Sequence, residues 1–279
     1  MATQTTMIPI NWPGEVRLPI VLTFEHESGE GAPMRPGDRP QANQYGQMEY
    51  GARRGIFNVL EMLDRFDIKA TFFVNGVTAE KFPEGVRAAH AAGHEIAGWG
   101  YNLDRVRTLS REREVEIVRR ASKTLADVCG AKIAGWRVPD YRVSPQTFEI
   151  LAEQGLSWDS TLLNDDLPYM LNCRAKPLVE IPFTTSTTEK AHVAFPYPMR
   201  GGPTGILSAW NNEFDVLREE SKTRPRFMNL SLTTWASGRP APCHTLRTFL
   251  ERAKSANDVK FVRCNDLAEW CYASALTTA

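Results

Sequence analysis

Short apolar runs alternate along this chain with longer stretches in which apolar positions recur every three or four residues. Residues 20–24, 69–76, 95–100, 134–139, 178–183, 226–235 and 259–264 read as strands. Residues 49–66, 78–92, 110–129, 206–220, 242–255 and 265–273 have helical spacing. In the first of these helices Ile56, Val59, Leu60 and Leu63 share a face, and Thr78 is placed as the cap of the second. A further helix starts at Ser144, with Pro145 in its first position, and ends near Gly155. Strand–helix alternation implies a parallel sheet, and this many units close most simply into a (β/α) barrel. The expected organisation is one domain over residues 1–279, with residues 1–17 as an N-terminal extension. The Gly/Pro-rich segment 28–46 is too long for a turn and reads as an active-site or interface loop.

Composition narrows the function classes. With 42% hydrophobic residues in 279, there is enough apolar material for one large core. The 33 basic and 33 acidic residues cancel, so neither nucleic acid nor an anionic membrane is an expected partner. No run approaches the roughly eighteen apolar residues of a membrane span. The first twenty residues lack a basic start followed by an apolar run, so no secretory signal is expected. The five cysteines are odd in number and form no C-x-x-C pair, which fits a reduced cytoplasm.

Barrel active sites lie at the C-terminal ends of the strands. That rule directs attention to Glu25–Glu27, Asn75, residues 99–102, Arg137, residues 159–166 and residues 233–235. Strand alternation puts Glu25 and Glu27 on one face with Thr23, and His26 on the other with Leu22 and Phe24. Periodicity alone leaves open which face meets the barrel axis.

Six segments resemble, in order, the motifs of the polysaccharide deacetylase (NodB-type) family. They are LTFEHE (22–27), KATFFV (69–74), GHEIAGWGYNLDR (93–105), GWRVPDY (135–141), GLSWDSTL (155–162) and SLTTWASGRP (231–240). The resemblance runs from about Leu18 to the C-terminus and implies that family's distorted parallel (β/α) barrel. The segments PGDRP (36–40), EYG (49–51), NDDLPY (164–169) and LVEIP (178–182) are similar to a subgroup, the metal-independent allantoinases and cyclic-imide hydrolases. The family binds a divalent metal through one Asp and two His four residues apart. Here Trp99 and Leu103 stand at the His positions, and Glu27 or His26 at the Asp position. Thr233 stands where the late L-H-P motif has its His. Neither Trp99 nor Leu103 can ligate a metal, so no metal and no other cofactor are expected.

The resemblance implies Glu25, Glu27 and Arg137 as the catalytic set, and it is the resemblance that turns the two carboxylates inward. Two close carboxylates repel, so one is expected to stay protonated near neutral pH while the other acts as base. Arg137 is expected to grip a carboxylate through two hydrogen bonds, which is also what a structural ion pair would look like. The candidate substrate contacts are His26, Asn75, Trp99, Asn102, Tyr141, Asp165, Thr233 and Trp235. Trp99 and Trp235 could equally be core, and Asp165 and Asp166 equally a loop cap. The implied activity is hydrolysis of a non-peptide C–N bond in a small cyclic amide, imide or ureide. The alternatives are an inactive binding or partner protein, or another acid–base reaction on a small ring, such as C–C hydrolysis or isomerisation. The related small-ring hydrolases imply a homo-oligomer, a tetramer among the options.

Overall fold

The computed structural model describes residues 4–30, 42–193 and 201–276. Ten strands form one sheet: β1 (Thr5–Met7), β2 (Leu18–His26), β3 (Thr71–Val74), β4 (Glu95–Gly98), β5 (Gly135–Trp136), β6 (Trp158–Asp159), β7 (Tyr169–Leu171), β8 (Leu178–Glu180), β9 (Met228–Thr233) and β10 (Val259–Val262). Strands β9, β2, β3, β4, β5, β6 and β8 run parallel in that spatial order. The long β2, buried at every position, is the hub. One edge of it pairs with β9 over residues 20–25. The other is shared by β10 over residues 18–21 and β3 over residues 23–26.

Alternation sorts the side chains into two layers. Leu22, Phe24, Phe72, Val74, Leu230 and Leu232 point outward and pack on helix residues such as Ile56, Val59 and Phe249. Val21, Phe73, Ala97, Trp158, Val179 and Ile181 form the inner set. Trp158 fills so much of that interior that a Cβ on Gly135 would lie 1.9 Å from its indole. Ile8, Ile10, Trp12 and the C-terminal helix Cys264–Leu276 join the inner set from the strands' N-terminal end. There the Cys264 amide donates to Thr71 Oγ1, at the start of β3.

Among the described residues no ladder joins β8 to β9. Side chains cross that seam instead. Asn229 Nδ2 donates to the Pro182 carbonyl at 3.0 Å, and the Arg137 guanidinium reaches from Ser160 to Ser231 through the interior. The parallel barrel is therefore distorted at one seam.

Several element boundaries differ from the sequence reading. The first helical stretch begins at Ala42, and it passes through a π-helical turn, Gly51–Gly55, before helix Ile56–Arg65. Most of the expected loop 28–46 lies outside the described residues. The stretch from 78 to 92 is two helices, Gly76–Lys81 and Pro83–Ala91, because Pro83 cannot continue the first. Asn75, not Thr78, is the cap of the first, its Oδ1 accepting from the Thr78 amide. The antiparallel strands β7 and β1 carry no strong alternation signal and were not anticipated. None of the described helices is long and apolar enough to cross a membrane.

Candidate active site

Glu25 comes from the penultimate position of β2, where its register partners are Phe73 on β3 and Thr233 on β9. It belongs to the inward set with Val21 and Thr23, and its side chain is buried. Two donors and a second cation converge on it. Lys190 Nζ lies 2.5 Å from Oε2, the Tyr141 hydroxyl donates to Oε1 at 2.9 Å, and Arg137 NH1 is 3.5 Å from Oε1. Burial pushes the Glu25 carboxyl upward. The charges of Lys190 and Arg137, with the Lys190 and Tyr141 hydrogen bonds, outweigh it and hold the group below the usual carboxylate range.

Arg137 is fully buried at the end of β5. Its guanidinium lies between the rings of Phe73 and Phe183, at 4.0 and 4.4 Å from their centroids. Nε donates to the Ser160 carbonyl, NH2 to Ser160 Oγ and NH1 to Ser231 Oγ. The expected two-bond grip on a carboxylate is not made. The fork is spent on β6 and β9, and Glu25 receives only a charge at ion-pair distance.

Tyr141 reaches Glu25 because Asp140 and Tyr141 are both left-handed, with φ of 56° and 58°. Such backbone is costly for non-glycine residues and marks an over-determined site. The Tyr141 ring also meets Phe183 edge-on at 5.0 Å. Burial first, then the Glu25 charge, raises its pKa, so the phenol stays protonated and donates.

Lys190 and Glu189, after β8, were not singled out from the sequence. Only a charged pair in a polar loop marks them. Lys190 keeps about a quarter of its side chain exposed, 24%. Burial would lower its pKa, but Glu25 foremost, then Tyr141 and Glu27, raises it, and the ammonium persists. Its Nζ stands 5.8 Å from the Trp99 ring centroid. Glu189 is buried and turns the other way, its Oε1 accepting from the Thr233 amide at 2.5 Å and the Thr233 hydroxyl at 2.7 Å. Burial pushes its carboxyl up to about 7.

The remaining candidates divide. Glu27 is buried, and its charge reaches Lys190. Trp99 is buried beside the Lys190 ammonium, its Nε1 without a partner among the described residues. Thr233 sits next to Glu25 across the ladder, but its hydroxyl donates to Glu189 and accepts from the Ala236 amide. His26 faces away, its Nδ1 2.9 Å from Thr234 Oγ1, and burial lowers its pKa to about 4. Asn75 is occupied as a helix cap, with Nδ2 buried and without a partner among the described residues. Like His26, three further candidates do not join Glu25. Asn102 is exposed, its amide bonded to Asp104. Trp235 packs with Ala236 and Met48. Asp165 is exposed, caps the Leu167 amide and lines a separate cavity of about 570 Å³ with Asp166, Glu213 and Asn229.

Residues 46–158 match the family model "Polysaccharide deacetylase". Over that stretch the chain is similar to the polysaccharide deacetylase family. A Mycobacterium smegmatis protein assigned to the polysaccharide deacetylases has a crystal structure with a TM-score of 0.88. It is 28% identical to this chain, over 97% of this chain and 96% of that one. PuuE allantoinase superposes with a TM-score of 0.83 at 27% identity, over 94% and 92% of the two chains. The peptidoglycan deacetylase of Helicobacter pylori is 27% identical over 116 residues, 41% of this chain and 40% of that protein's length. The fold likeness thus spans nearly the whole chain, although the family model covers only its middle.

A family metal does not fit this site. The ligand positions hold Glu27 or His26, the indole of Trp99 and the aliphatic Leu103, and the Lys190 ammonium stands over the Trp99 ring. Among the described residues no group of three or more His, Cys, Asp or Glu side chains could hold a metal ion.

Proposed function

We propose that this chain hydrolyses a non-peptide C–N bond in a small cyclic amide, imide or ureide, without a metal. The observation that carries this is Glu25: a carboxylate held ionised at the end of β2, beneath aromatic walls, where the family's metal positions carry an indole and an aliphatic group. A carboxylate so placed serves as general base. It takes a proton from water as the water oxygen attacks the ring carbonyl carbon. The tetrahedral intermediate then breaks its C–N bond, and the proton passes to the leaving nitrogen. The ring opens to a carboxylic acid, which loses its proton to solvent, and an N–H group on the released nitrogen. Tyr141, kept protonated, supplies a hydrogen-bond donor beside the base. Trp99, Phe183 and the Tyr141 ring favour a flat ring over a sugar polymer. The likeness to PuuE allantoinase over nearly the full length supports the same substrate class.

The test is a panel of allantoin, hydantoin, dihydrouracil, succinimide and glutarimide, with an N-acetylglucosamine oligomer beside them. Each is assayed with and without a chelator. Turnover of a ring compound, unchanged by the chelator, is expected. Turnover of the oligomer alone, lost on chelation, would refute the reading.

A further inference from the structure

We infer that Lys190 is the resident cation of this site, taking over the charge that a metal supplies elsewhere in the fold family. It holds Glu25 as a carboxylate and offers an N–H to the oxyanion formed on the attacked carbonyl. The inference rests on the proposed hydrolysis for its second half only.

The geometry is specific. Lys190 Nζ donates to Glu25 Oε2 at 2.5 Å and stands over Trp99, which occupies the first metal-His position. The charge of Glu27 acts on the same ammonium. The ammonium therefore lies between the Glu25 carboxylate and the indole at the first metal-His position. Arg137 cannot take this part, because its hydrogen bonds go to Ser160 and Ser231 and its two faces are covered by Phe73 and Phe183. Lys190 has what Arg137 lacks. An ammonium has three donors, one of them on Glu25 here, and the side chain is about a quarter exposed at 24%. Preorganised donors and charges aimed at a developing oxyanion are usually the largest single contribution to catalysis. Its charge in a water-poor site acts far more strongly than in bulk solvent.

Two readouts separate this inference from the proposed function. The first needs no substrate. Carboxyl carbons of Glu are labelled in the full chain and titrated by NMR, and the resonance missing from Glu25→Gln identifies Glu25. In the wild type Glu25 should titrate below the ordinary glutamate range. In Lys190→Met its midpoint should move upward by at least one pH unit, and in Lys190→Arg it should stay low. An unmoved midpoint in a folded Lys190→Met overturns the inference, whatever the enzyme's substrate.

The second uses whichever ring compound of the panel the wild type hydrolyses. Lys190→Met should lose at least a hundredfold in kcat with KM changed by less than threefold. Added ethylammonium should restore tenfold or more of that loss, and Lys190→Arg should retain part of the activity. A kcat within threefold of wild type, or a loss that ethylammonium does not relieve, overturns the oxyanion role. If the wild type opens no ring, the proposed function falls, and the titration alone still decides whether Lys190 holds Glu25 ionised.

Discussion

The ammonium of Lys190 and the carboxylate of Glu25 lie 2.5 Å apart, although 165 positions separate them in the chain. The pair changes what Glu25 is. A buried carboxylate next to a second acid, Glu27, would ordinarily hold its proton. Beside Lys190 and Arg137, Glu25 instead sits below the usual range. Carboxyls pushed upward by burial lie at Glu189 and in the Asp159–Glu180 pair.

Glu25→Gln keeps the shape but removes the base. Turnover of the ring substrate should fall about a hundred- to ten-thousand-fold. The substitution also leaves Lys190 and Arg137 facing a neutral amide, so stability should drop, by about 3–5 kcal/mol if the pair behaves as buried. Glu27→Gln should lower turnover less, because its charge acts through Lys190. Steady-state kinetics with urea unfolding of each variant checks both. Near-native turnover in Glu25→Gln would remove it as the base.

His26→Ala should leave turnover within about tenfold of wild type while lowering stability. The imidazole is buried outside the barrel axis and bonds Thr234, not Glu25. Deleting such a side chain leaves a cavity costing on the order of 2–5 kcal/mol. Loss of activity with unchanged unfolding would place His26 in the reaction instead.

Arg137→Lys should destabilise the chain by at least about 2 kcal/mol, since it loses the fork that ties Ser160 to Ser231 across the seam. A lysine keeps the charge near Glu25 but cannot make three such bonds. The check is chemical denaturation, where a midpoint equal to wild type would contradict the bridging role.

The pH dependence of stability should expose Asp159. It pairs in register with Glu180 across β6 and β8, and neither of its oxygens has a hydrogen-bond partner among the described residues. Burial foremost raises Asp159 to about 6, and burial with the neighbouring Asp159 raises Glu180 well above its usual value. A carboxyl raised on folding contributes stability below its unfolded pKa and loses it as pH rises through the folded one. Wild type should therefore weaken relative to Asp159→Asn as pH climbs from about 4 to 7. His26, held neutral by burial, slopes the other way in both proteins and cancels from the comparison. Parallel unfolding free energies across that range would show that the pair does not share a proton.

What the sequence determined by itself was local. The continuous apolar run of β2, the period-2 placement of Glu25 and His26 on opposite faces, and the ordered motifs through Arg137 and Tyr141 all follow from neighbours along the chain. So did the absence of histidine from the metal positions, because a missing ligand is legible without a fold. Tertiary structure decided the rest. Whether Arg137 grips a carboxylate or a seam depended on where Ser160 and Ser231 came to lie. The exposure of Asn102 and the capping role of Asn75 depended on loop geometry that composition does not encode. Lys190 could not be found at all from its own surroundings in sequence. It acquires its role only when the segment after β8 folds back over the end of β2, and a charge is defined by what surrounds it in space, not by what precedes it in the chain.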